Sequence, residues 1–253
     1  ARAALTALGA EIRPLVARDF GASYPHGNKI EALGVLDPGR PFLFLDSDTL
    51  ILGDIGAVPV DFARPAASMR RSGTWPSPPL YGPGHHDIWA SFYDRFELDI
   101  APTLDRTQPD EHWERFLYFN AGWFFGADPA VFGQRFRDWA VAVRDDPGEA
   151  LACQSLDPWL DQIVLPLVVH SLGGGRPGPA LAGLDGALHL LLAGQTRGMF
   201  LGQEHHADAV LAGRGQDNAL LGHFGAQQRQ VFGPEGRVGR LVESLAHDRS
   251  SAL

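Results

Sequence analysis

The chain has 253 residues, 45 % of them hydrophobic and 20 % charged. That is enough apolar material for a sizeable core, and it excludes disordered, collagen-like and small disulfide-stapled classes. Its 30 acidic residues outnumber 21 basic ones, so the formal charge of −9 disfavours nucleic acid and anionic membranes as main partners.

Residues 1–9 are rich in Ala and Leu and stop at Gly9, which predicts a helix. Glu11–Ala17 reads as a strand. Asn28-Lys29-Ile30-Glu31 has the pattern of a capping box, with Asn28 as N-cap and Glu31 at N3, opening a short helix through Leu36. Asp37-Pro38-Gly39 is a turn. Pro41–Leu45 is a continuous apolar run, as expected of a strand buried on both faces, and it ends abruptly in Asp46-Ser47-Asp48. Helix, strand, helix and strand in this order predict an α/β sheet.

Pro65–Arg70 predicts a further strand. Gly73–Gly84, with Pro76, Pro78, Pro79 and Pro83, predicts a long ordered loop. Its Trp75 and Tyr81, with His85, His86 and Trp89 beyond it, suit either a ligand with an apolar face or a core beneath the loop, and Trp89, with Phe92 and Phe96 at helical spacing, favours the core. Arg70-Arg71 suits an anionic group or solvent equally. Tyr118–Phe125 is an aromatic strand. Asp128-Pro129 opens a helix with Asp as N-cap and Pro at the first position, and Phe132, Phe136, Trp139 and Val143 share one face of it. Asp157-Pro158 repeats the signal for a helix through Val169, kinked at Pro166 and stopped at Gly173-Gly174-Gly175. Beyond Gly183 the signals weaken, and there is no internal repeat.

A single cysteine, Cys153, excludes an intrachain disulfide and a multi-cysteine zinc site and fits a reducing, cytoplasmic setting. No apolar run approaches the roughly 18 residues of a membrane span, so the protein is expected in the cytoplasm or peripheral to a membrane.

The acidic turn carries the chemistry. Two carboxylates at the end of a buried strand repel each other, and a divalent cation removes that cost. Mn²⁺ or Mg²⁺ takes one or two carboxylates together with phosphate oxygens. Ligands of open α/β sheets bind beyond the carboxyl ends of the strands, where this turn lies. A turn built on Asp46 and Asp48 is the bland alternative. Lys29, the one lysine beside 20 arginines, would offer a compact ammonium to a diphosphate or simply lie in solvent. Asn120 in the aromatic strand needs a partner, a ligand or a backbone group. Ala121-Gly122 would let a ligand approach the backbone. Asp157 reads as an N-cap. Asp161 and Gln162 lie one turn further on, and Gln162 has only an amide to offer.

Phe42–Ile55, FLFLDSDTLILGDI, resembles the metal-binding segment of the GT-A-fold glycosyltransferases, and especially glycosyltransferase family 8, the glycogenin-like enzymes. Asn28-Lys29, Phe119-Asn120-Ala121-Gly122 and Asp161-Gln162 resemble further blocks of that family in the family's order. The likeness runs from about Ile12 to Val169. It implies a GT-A-like, Rossmann-like mixed sheet flanked by helices, in one domain over 1–253 that begins after the family's first strand and has a less regular part over 183–253. It implies a transferase that takes a sugar from a nucleotide-sugar donor, UDP-linked, to a sugar, lipid or protein acceptor with Mn²⁺ or Mg²⁺. Asp46 and Asp48 would hold the metal. The third ligand would be His223 in Gly222-His223-Phe224-Gly225, with His189 as a rival and His205-His206 as weaker ones. Lys29, Asp46, Ser47, Asp48, Asn120, Ala121 and Gly122 would bind the donor, and Asp161 and Gln162 would act at the sugar. The Lys-Pro-Trp that follows the family's histidine is replaced here by Gln227-Gln228-Arg229.

Two other readings compete. Haloacid-dehalogenase-like phosphohydrolases also end a strand in Asp-x-Asp, one carboxylate being the nucleophile. Their motif needs a residue between the second Asp and the Thr, whereas Thr49 follows Asp48 directly. A catalytically inactive GT-A-like binding domain is the other.

Overall fold

The computed structural model describes residues 2–46, 49, 51, 54–181, 184, 208–211 and 219–223. Its centre is β1 (Phe42–Leu45), four apolar residues that are all buried. Successive side chains of a strand point to opposite faces, so a strand with both faces covered has no polar position. Phe42 and Phe44 enter one apolar cluster, and Leu43 and Leu45 enter another across the sheet.

Strand β3 (Phe119–Gly126) pairs antiparallel with β1 on one side and with β2 (Ala67–Met69) on the other. On the far side of β1, β5 (Ala219–His223) runs parallel and pairs antiparallel with β4 (Asp208–Leu211). The five-stranded sheet has the order β2-β3-β1-β5-β4. The fold is therefore mixed α/β, as expected, with antiparallel pairings in the majority.

Helices cover the face that carries Phe42 and Phe44. In α4 (Pro129–Asp145), Asp128 caps the first turn by accepting from the Ala130 N–H, as its sequence predicts. Phe132 and Phe136 of this helix pack on Phe124, and Phe124 stacks on Phe44 with ring centres 4.4 Å apart. Gly133 lets α4 close on the 3₁₀ turn Ala32–Val35: a Cβ there would lie 2.7 Å from Leu33 Cβ. Helix α5 (Leu160–Ser171) is buried along most of its length and carries Pro166 in its interior. It ends in a Schellman motif, with Gly173 at φ 79° and the Gly174 N–H donating back to the Val169 carbonyl. Among the described residues the remaining α-helices are α1 (Arg2–Ala7), α2 (Gly27–Glu31) and α3 (His85–Arg95).

Three sequence expectations are corrected. Glu11–Ala17 is not a strand; no ladder forms there. Pro14 lacks an N–H, and Arg13 instead spends its guanidinium on the Val35 carbonyl, Glu11 and Asp37. Asn28 is not an N-cap, because α2 begins one residue earlier, at Gly27, and continues into the 3₁₀ turn. Glu31 therefore does not close a capping box. Its carboxylate reaches across to accept from the backbone N–H groups of Arg18, Asp19 and Phe20. Asp157 does not cap α5, whose N-cap is Trp159. Pro158 lies in the preceding turn, where its carbonyl accepts from the Tyr24 hydroxyl.

Glu31 is buried, and its removal strands three donors. Glu31→Leu is expected to cost about 2–4 kcal/mol of unfolding free energy, read by denaturant titration. A loss under about 0.5 kcal/mol would show that water replaces the carboxylate.

Candidate functional site

Asp46 follows the last residue of β1. Its N–H donates to the Gly122 carbonyl at 2.9 Å, and its own carbonyl accepts from the Thr49 N–H. These two bonds fix the turn at the carboxyl end of the strand. Lys29, on the short helix α2, donates from Nζ to Asp46 Oδ2 at 2.5 Å. The pair is largely shielded, with side chains 14 % and 20 % exposed, so its attraction is screened less than that of a surface pair. Ser47 and Asp48 lie outside the described residues.

Beside this turn β3 is irregular. Ala67 pairs with Phe124 and Met69 with Phe119, so two steps along β2 correspond to five along β3. The surplus falls at Asn120-Ala121-Gly122, and Ala121 takes a positive φ of 55°, rare for a residue with a Cβ. Ser68 fills the bulge from the opposite strand. Its hydroxyl oxygen accepts from the Gly122 and Trp123 N–H groups and donates to Asn120 Oδ1. Asn120 Oδ1 also accepts from the Gly122 N–H. These two donors hold the amide oxygen of Asn120 in the bulge. Asn120 is half-buried, whereas Ala121 is buried against the core.

The third wall is the start of α5. Asp161 is 2 % exposed, and its Oδ1 lies 2.8 Å from the Tyr24 hydroxyl, which also accepts from the Asp161 N–H. Burial pushes the Asp161 carboxyl above the ordinary carboxylate range. Lys29, the Tyr24 hydroxyl and His26 pull it back, and Asp46 adds to the rise. Asp161 thus senses the charges of both Lys29 and Asp46, which places the three residues in one electrostatic neighbourhood. The Asp161 carboxylate is turned inward against Tyr24, while Gln162 beside it is half-buried.

The long loop joins this neighbourhood to the core. Trp75 and Trp89 are buried and packed edge to face, so of the loop aromatics these two belong to the core. Trp75 Nε1 donates to the Ser155 carbonyl, shortly before α5. His85 is stacked over Phe116, and Tyr81 is 91 % exposed. Arg70 is buried, with its guanidinium between the rings of Trp113 and Tyr118 and donating to the Trp75 and Trp113 carbonyls. Burial lowers its pKa to about 10. Arg70 is therefore a structural cation and not a solvated one.

A hard divalent cation fits the oxygen chemistry of Asp46, where an ammonium of the chain already stands as a positive charge. In the backbone register of β5, Gly222 pairs with Leu45, so position 223 is level with Asp46 at the same end of the sheet. Of the other sequence candidates, His189, His205 and His206 lie outside the described residues. Among the described residues no group of three or more His, Cys, Asp or Glu side chains forms a metal site. Sequence reasoning missed Tyr24 and Ser68. The Tyr24–Asp161 contact joins residues 137 positions apart, and no local pattern marks it.

Two predictions come from this geometry. Ser68→Ala removes the oxygen that accepts from the Gly122 and Trp123 N–H groups and is expected to cost about 1–3 kcal/mol of stability, measured by denaturant unfolding. For Asp161 the folded-state pKa lies above the unfolded value, so its stabilising contribution is complete at acid pH and is lost as pH rises through the folded pKa. Asp161→Asn should therefore gain stability relative to the native protein as pH rises above about 4. A difference independent of pH between 4 and 8 would contradict the raised pKa.

Among the described residues no helix is long and apolar enough to cross a membrane. Comparison with curated proteins and with solved structures returns no match. A family model does match, over residues 1–173, and it covers both partners of the Lys29–Asp46 pair, the β3 bulge and Asp161. By that match the chain belongs to the Rhodobacterales glycosyltransferase domain family.

Proposed function

We propose that the domain transfers a sugar from a nucleotide-sugar donor, UDP-linked, in the manner of the GT-A enzymes that its acidic turn resembles. The observation that carries this reading is the convergence of Lys29, Asp46 and the Asn120 bulge at the carboxyl end of a strand buried on both faces. Membership of a glycosyltransferase family favours it over the phosphohydrolase reading.

Asp46 would hold Mn²⁺ or Mg²⁺ together with Asp48 and a histidine, His223 before its rival His189. The metal, when bound, supplies Lewis-acid stabilisation of the diphosphate leaving group. Lys29 would place a point charge against that diphosphate. Asn120 would donate from its amide nitrogen to a sugar hydroxyl, held in register because its oxygen is fixed by Ser68 and Gly122. Ala121 and Gly122 would form the backbone floor beneath the sugar. Asp161, held by Tyr24, would orient the sugar or keep Lys29 charged, and Gln162 would offer an amide donor near the reacting carbon. The acceptor would be a sugar, lipid or protein group.

The test is calorimetry of the protein with UDP-glucose and UDP-galactose, with and without Mn²⁺. Donor binding is expected to depend on Mn²⁺ and to weaken at least about tenfold in Asp46→Asn. No binding of either donor under any condition, or binding that ignores Mn²⁺, would overturn the proposal.

A further inference from the structure

One hydroxyl at the start of α5 has more partners than protons. Tyr24 Oη lies 2.8 Å from Asp161 Oδ1, 2.9 Å from the Pro158 carbonyl oxygen and 3.3 Å from the Asp161 nitrogen. The Asp161 N–H donates to the phenol oxygen, which leaves one hydroxyl proton for two acceptors. If Asp161 is a carboxylate, Tyr24 serves either Oδ1 or the Pro158 carbonyl and gives up the other bond. If Asp161 carries a proton on Oδ1, every contact is made. The acid donates to Tyr24, Tyr24 donates to Pro158, and the phenol oxygen accepts twice.

The surroundings favour the second arrangement. Asp161 is 2 % exposed, and among the described residues the Tyr24 hydroxyl is the one group hydrogen-bonded to its carboxyl. Oδ2 has no hydrogen-bond partner there, and no lysine, arginine or histidine stands within ion-pair distance of it. A carboxylate so placed is costly to bury, and such a group takes up a proton instead. The groups that face the pair are Lys29 and His26 from α2 and its first turn, Asp46 from the end of β1, Asp157 from the turn before α5 and Tyr118 from β3. Lys29 and His26 favour the anion, Asp46 opposes it, and burial is the largest effect.

We infer that Asp161 works as a neutral carboxylic acid: its Oδ1 proton is held by Tyr24 in a chain that ends on the Pro158 carbonyl, and its Oδ2 is an uncharged acceptor for a hydroxyl of the bound sugar. The proton chain stands on the geometry, and the sugar hydroxyl rests on the proposed function and narrows it. An uncharged oxygen accepts from a neutral hydroxyl and offers an ammonium no opposite charge. The donor sugar therefore carries a hydroxyl, not an amine, at the position facing Asp161. With its proton held, Asp161 is neither general base nor nucleophile, and its task is orientation. Tyr24 is a positioning residue that acts through Asp161.

The experiment is infrared spectroscopy of the native protein minus Asp161→Asn at about pH 6, roughly two units above an ordinary aspartate. The C=O stretch of a protonated carboxyl stands apart from the bands of ionised carboxylates, and the subtraction removes every acid but Asp161. A protonated-carboxyl band is expected in the native protein, and it is expected to shift in Tyr24→Phe, where the acid proton has lost its acceptor. No such band, or one that Tyr24→Phe leaves in place, would overturn the inference. Circular dichroism checks folding, and the native-minus-Asn spectrum decides the protonation even where Tyr24→Phe does not fold. Calorimetry with UDP-glucose and UDP-galactose in Mn²⁺ reads the sugar contact. Asn keeps an uncharged oxygen acceptor and an N–H for Tyr24, so Asp161→Ala is expected to bind the donor at least about fivefold more weakly than Asp161→Asn. Equal losses in the two variants would overturn the hydroxyl contact. Absence of donor binding by the native protein would remove the proposed function, while the band, read without ligand, still decides where the proton lies.

Discussion

The Ser68 hydroxyl is the contact on which the site geometry rests. It sits where β3 carries surplus residues against β2, and one oxygen serves the Gly122 and Trp123 N–H groups and the Asn120 side chain. Without such a partner the bulge would leave buried backbone donors unsatisfied, and a regular ladder would be favoured. A regular ladder would carry Asn120 out of register and remove the Gly122 carbonyl from its position opposite the Asp46 N–H. The same irregularity allows β3 to pair with β1 in simple register from Trp123 to Gly126 while shifting against β2. A local defect in one pairing thus sets the position of the acidic turn in the other.

The charges around that turn are held by packing as much as by each other. Lys29 stands on a single helical turn whose position depends on Glu31, two residues on, gathering the backbone of Arg18, Asp19 and Phe20. Tyr24, between those two segments, ties the same region to the start of α5. The wall containing Lys29 and the wall containing Asp161 are therefore one hydrogen-bonded unit. The elevated pKa of Asp161 follows from its burial in that unit, against the opposing pull of Lys29.

Much of this was legible in the residues. The four apolar positions of β1 could only be a strand covered on both sides, and the abrupt acidic end marked the site. Asp128-Pro129 announced α4 because both signals act locally, within one turn. Legibility failed where a side chain chose a distant partner over a near one. Glu31 has the right spacing for a capping box, yet its carboxylate serves an adjacent loop. Asp157-Pro158 has the form of a helix start, yet Pro158 gives its carbonyl to Tyr24. Glu11–Ala17 reads as a strand, but it joins no ladder, and Pro14 and the bonds of Arg13 hold it otherwise. The bulge itself had no sequence signal beyond a small pair, Ala121-Gly122, because a register offset exists only between two strands. The sugar-facing roles proposed for Asn120, Asp161 and Gln162 rest on family likeness, since residue type alone does not separate a ligand contact from a satisfied core amide or acid.

The two kinds of cation in this chain are not interchangeable, and in opposite senses. Arg70 is a flat plate clamped between two aromatic faces with its edges on two carbonyls. A lysine there would have no plane to stack and too few fixed donors to span both carbonyls. Lys29 sets a compact ammonium on one oxygen of Asp46, where a guanidinium would present a two-point fork. Lysine at position 70 would lose the stacked plane, and arginine at position 29 would replace a point charge with a fork. Among 21 Lys and Arg residues, position 29 is the one that carries a point charge on a flexible stem and not a rigid plate.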